Sequence, residues 1–204
     1  MTTETITPTR TRRRGLTPYL TLAAGALFVA VPPIVELVTY DAFALMGLAG
    51  VLVLAALPGI RRQQRGADGR AGSWGCRLTM GGLGTLVLLI LSGDLVDAVV
   101  SGGVQTVVEA LFMLVGGAAT LALLLGIVLF SVGMTRAGVF PPAAIWVFLG
   151  GMVLALVSEL LEQSLQGPVP WLADTLPPLG FVVAGFGLLT IGRAALDVAP
   201  ERRT

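Results

Sequence analysis

Long apolar runs alternate along the chain with short segments that carry nearly all of its charge. A helix needs about 20 predominantly apolar residues to cross a hydrocarbon layer of roughly 30 Å. Six stretches meet that requirement: Thr17–Val38, Ala42–Ile60, Leu78–Val99, Val107–Met134, Pro141–Leu161 and Leu176–Ile191. The pattern predicts an all-α fold, a polytopic membrane helical bundle of six transmembrane helices. A basic cytoplasmic tail (1–16) precedes the six-helix domain (17–193), and a short cytoplasmic tail (194–204) follows it. Pro141–Pro142 and Pro177–Pro178 are expected near the first turns of the fifth and sixth helices, where a missing N–H matters least. Pro32–Pro33 is expected to kink the first helix near its outer third.

Charge sets the orientation. All 13 basic residues are arginines. They fall before the first helix (Arg10, Arg12, Arg13, Arg14), between helices two and three (Arg61, Arg62, Arg65, Arg70, Arg77), between helices four and five (Arg136), and after the sixth (Arg193, Arg202, Arg203). With six spans these segments share one side, which the positive-inside rule makes cytoplasmic. The first apolar run is too long for a cleaved signal peptide and reads as a signal anchor. Because topology accounts for the arginines, they do not point to nucleic acid; contact with anionic lipid headgroups remains open. Arginine without lysine also suggests a GC-rich bacterial coding bias.

Composition agrees with the pattern. The 204 residues are 55% hydrophobic and 12% charged, against about 25% charged in a typical soluble domain. The mean hydropathy is +0.88, so the apolar surface must face lipid. Many of the 27 glycines lie inside the apolar runs, where small residues let helix backbones approach closely in a bilayer. The single cysteine, Cys76, forms no intrachain disulfide, and with no histidine present Ser/His nucleophilic catalysis is excluded. The same two facts argue against zinc and haem sites, so no cofactor and no metal are expected.

The acids repeat. Glu36–Leu37–Val38, Asp94–Leu95–Val96 and Glu159–Leu160–Leu161 close the odd helices, and Asp41–Ala42–Phe43, Glu109–Ala110–Leu111 and Asp174–Thr175–Leu176 open the even ones. The six helices therefore read as three tandem helical hairpins in one orientation. Asp41, Glu109 and Asp174 suit helix N-termini, where a carboxylate complements the macrodipole. Glu36, Asp94 and Glu159 sit where the dipole disfavours them. They form the candidate cation or proton site, because acids beside a span often mark ion paths. The competing reading, and the favoured one, is that they are hydrated interfacial residues.

The segment from Gly126 to Pro141, with Arg136, Gly138 and Pro141 at its inner turn, resembles a phrase found in small uncharacterised multi-helix bacterial membrane proteins. That resemblance implies no activity. The expected protein is a multi-pass plasma-membrane protein whose partners are the bilayer and either a protein partner or further copies of itself. It is read as a non-enzymatic accessory or interaction component, with a cation- or proton-linked small transporter as the alternative.

Overall fold

The computed structural model describes residues 15–35, 42–64, 67–99, 103–164 and 170–197. They form six helices and, among the described residues, no strand: α1 (Thr17–Val35), α2 (Ala42–Gln63), α3 (Gly69–Val99), α4 (Gly103–Ala137), α5 (Pro142–Ser164) and α6 (Pro170–Asp197). Each helix packs on its neighbours in the chain, and α1 packs on α6, so the bundle closes on itself. Three segments, Gly69–Ser92, Val107–Ala137 and Thr175–Asp197, are long and apolar enough to cross a membrane.

The contacts are made by small residues. Where α1 crosses α6, a Cβ on Gly25 would lie 2.9 Å from the Gly185 carbonyl oxygen, and one on Gly185 would lie 2.8 Å from that of Gly25. Beside this crossing the rings of Phe28 and Phe181 stack with centroids 5.6 Å apart. In the α3–α4 pair a Cβ on Gly82 would meet the Ala119 carbonyl oxygen at 2.6 Å. In α5–α6 the Gly151 Cα lies against the backbone of Gly180 and Ala184. Interlocking at this distance replaces the hydrophobic drive that lipid withholds. Larger side chains then fill the middle: Leu123, Ile127 and Phe130 of α4 and Ile145 of α5 are fully buried.

Several helix bounds differ from the sequence reading. α3 begins nine residues before Leu78, and α2 runs on to Gln63, so the expected Arg61–Arg77 loop is mostly helix. Its glycines explain this. Gly75 packs on the α4 backbone at Phe130, and a Cβ on Gly133 would touch Gly72, so helix-poor sequence is held helical by its partner. Gly69 opens α3 at φ 63°, a left-handed value that glycine adopts without cost. Gly138, also at φ 63°, terminates α4 with its N–H shared between the Met134 and Thr135 carbonyls.

One proline pair also moves. α6 starts at Pro170, which places Pro177 and Pro178 inside the helix and not in its first turn. Pro32–Pro33 keep their expected place in the outer third of α1, which is helical through both. The expected position of Pro142, at the start of α5, matches. Packing does not repeat evenly between hairpins. Gly82, twelve residues before Asp94, is buried against α4, whereas Val147, twelve before Glu159, is 42% exposed.

The two neighbouring glycines of α3 test this packing. Gly82→Val should lower stability by about 1–3 kcal/mol, because a branched side chain forces α4 away. Gly81→Ala points into open space and should leave stability unchanged or raise it by up to about 1 kcal/mol. Thermal unfolding of the purified variants in detergent measures both.

Candidate functional site

Of the three acids proposed from sequence as a site, Asp94 and Glu159 fall in helix ends away from the described arginines. Glu36 lies outside the described residues. Asp94 and Glu159 each sit five residues before the end of their helix, in α3 and α5, and their side chains lie outside the described set. Asp41 is also outside it. Glu109 is corrected: α4 starts at Gly103, so the residue is in the second turn, exposed, and does not cap the helix. Its Oε1 accepts from Gln105 Nε2 at 3.1 Å, one turn back. Asp174 likewise lies four residues inside α6. The structure therefore does not assemble Glu36, Asp94 and Glu159 into a described site.

Polar chemistry does converge at the opposite end, where α2 turns into α3. Ala67 N–H donates to the Gln64 carbonyl at 2.9 Å, and Gly72 N–H to the Asp68 carbonyl at 3.1 Å, which closes the turn and starts α3. Asp68 is buried beneath it. Arg61, near the end of α2, places Nε 3.5 Å from Asp68 Oδ2 and donates through Nη2 to Ser73 Oγ at 2.9 Å. One guanidinium thus ties α2, the turn and α3 together. Its own side chain is 39% exposed while that of Asp68 is 2% exposed, so the cation reaches water and the anion does not.

Around this pair the hydrogen bonding is incomplete. Gln64 is 1% exposed, and neither its Oε1 nor its Nε2 has a partner. Asp68 Oδ2 touches Arg61 without an aligned hydrogen bond and Gln63 Oε1 has no partner; farther along α3 and α4 the hydroxyls of Thr79 and Ser131 are also buried and unbonded. An unmade bond at such a group costs about 1–3 kcal/mol. Elsewhere the helices satisfy themselves: Thr21, Thr120, Thr135, Ser158 and Thr190 each donate to the carbonyl four residues back.

Between the two ends the bundle is apolar. A cavity of about 20 Å³, lined by Thr21, Val53, Leu57, Phe130, Phe148 and Ile191 among others, lies among the helices in the half of the bundle nearer the arginines. It has room for about one water. The one hydroxyl on its wall, that of Thr21, is already bonded to Thr17.

Sequence reasoning missed the Arg61–Asp68–Ser73 group because glycine and arginine made the segment look like an exposed loop. The available signal was Asp68 itself, the sole acid among the five arginines of that stretch. No known protein family, characterised protein or solved structure matches the chain.

The asymmetry of the ion pair has a measurable consequence. Arg61→Met leaves a carboxylate buried without a cation and should cost about 2–4 kcal/mol, somewhat below a fully buried pair because Arg61 is partly solvated. Asp68→Asn leaves a guanidinium that can turn to water, and should cost less than half as much. Equal losses in thermal unfolding would contradict this description of the site.

Proposed function

We propose that the chain is a plasma-membrane protein that crosses the bilayer six times, keeps both termini in the cytoplasm, and works as a non-enzymatic accessory or interaction component. The observation that carries this reading is the contrast between inside and outside. The described interior is lined by apolar side chains around a cavity of only about 20 Å³, while the outer faces of α3 and α4 present Leu88, Leu91, Met113, Leu114, Leu121 and Leu125, each more than half exposed. Surface of that kind belongs in lipid or against another membrane protein.

The arginine partition supports the orientation. Arg61, Arg62, Arg70, Arg77, Arg136 and Arg193 lie where α2, α3, α4 and α6 meet one end of the bundle. Trp74, 58% exposed among these arginines, suits the membrane–water boundary. The remaining helices, α1, α2 and α5, have 19, 22 and 23 residues, enough for the apolar layer at 1.5 Å per residue.

The proposal predicts that neutralising the outer acids changes little. Wild type, Glu36→Gln, Asp94→Asn and Glu159→Gln should unfold alike across a panel of monovalent and divalent cations and of pH values. A transported cation at 100 times its Kd would add about 2.7 kcal/mol of stability. Selective stabilisation by one cation, lost in the three variants, would replace the accessory reading with transport.

A further inference from the structure

The outward face of α3 is built differently at its two ends. At helical spacing it carries Arg70, Trp74, Arg77, Gly81, Gly84 and Leu88. The Arg77 guanidinium lies 5.5 Å from the centre of the Trp74 ring, a cation–π contact that holds the cation at the level of the indole. Both arginines are exposed, and among the described residues neither has a carboxylate partner; Asp68 is buried and taken by Arg61. Two uncompensated cations therefore flank an interfacial tryptophan.

One turn further along, the surface changes from charged to open. A Cβ at Gly81 or at Gly84 would meet nothing within 4 Å, so these glycines leave a shallow trough that no other helix fills. Leu88, 68% exposed, closes its far end. From Arg77 to Leu88 is about 16 Å along the helix, close to half of a hydrocarbon layer roughly 30 Å thick.

We infer that this face is a binding site for an anionic phospholipid of the cytoplasmic leaflet, with the phosphate between Arg70 and Arg77 and one acyl chain along Gly81, Gly84 and Leu88. The inference rests on the membrane reading above. The charge argues for an anionic lipid over a zwitterionic one, and a second copy of this face would bring two pairs of arginines together. Guanidinium suits the task because its planar fork binds phosphate oxygens two at a time.

The test uses the full chain with W146F and W171F, so that Trp74 is the sole tryptophan, in vesicles of phosphatidylcholine and phosphatidylglycerol. Bromine quenchers are placed on the chains of one lipid or the other. Phosphatidylglycerol should quench Trp74 beyond its mole fraction. R70Q and R77Q should each lower that enrichment by up to about fivefold, which corresponds to about 1 kcal/mol per arginine. G81L should keep the unfolding temperature, since the space is open, yet weaken quenching by both lipids; R136Q should change nothing. Equal quenching by the two lipids would overturn the site while leaving the membrane reading intact. A Trp74 shielded from both, beside a Trp146 that is quenched in the W74F/W171F companion, would overturn it in favour of a second protein copy. Neither tryptophan quenched would overturn the membrane reading as well.

Discussion

Everything in this bundle depends on helix backbones touching. Gly25 and Gly185 meet almost carbonyl to Cα, and Gly82 and Gly151 do the same in their own pairs. In water such glycines would each cost about 1 kcal/mol of helix stability and would return little. In lipid the apolar side chains gain nothing by leaving their neighbours, so dispersion at short range is what holds helices together. Beside these contacts a cavity of about 20 Å³ lies among α1, α2, α4, α5 and α6.

Polar side chains gather towards the ends of the bundle. At one end Arg61 ties α2 to Asp68 and Ser73, and buried Gln64 keeps an amide with no protein partner. That cluster is a clasp on the α2–α3 turn, with buried Cys76 further along α3. At the other end the acids Asp94 and Glu159 lie at matching places, five residues before the ends of α3 and α5. Neither end connects to the other through polar groups among the described residues.

The existence of six helices was legible because apolar runs of bilayer length admit few other structures. Their ends were not legible. Residues 69–77 are rich in glycine and arginine and carry no helical signal of their own; only the matching surface of α4 makes them helix, and that match is not visible in one sequence. Pro177 and Pro178 look like helix-opening residues, yet α6 begins seven residues earlier. The candidate acids were legible as a repeated phrase, but a phrase does not say which way a side chain turns. Asp68 was overlooked for the opposite reason. Its burial follows from the tight turn at Gln64–Ala67, a three-dimensional fact that leaves only an isolated acid in the string.

The central claim is the path of the chain through the bilayer, and labelling single cysteines tests it most directly. In a Cys76→Ala background, cysteines at Ala67, Arg136 and Asp197 probe the arginine end, all three residues being exposed. Thr39 and Gln166 probe the connections between α1 and α2 and between α5 and α6, and Gln105, exposed in the first turn of α4, probes the end where α3 meets α4. On the proposed topology a membrane-impermeant maleimide applied to intact cells modifies the second set, and reaches the first only after the membrane is opened. Modification of Ala67→Cys or Arg136→Cys in intact cells, or protection of any one of the three outer positions, would contradict the six-span arrangement.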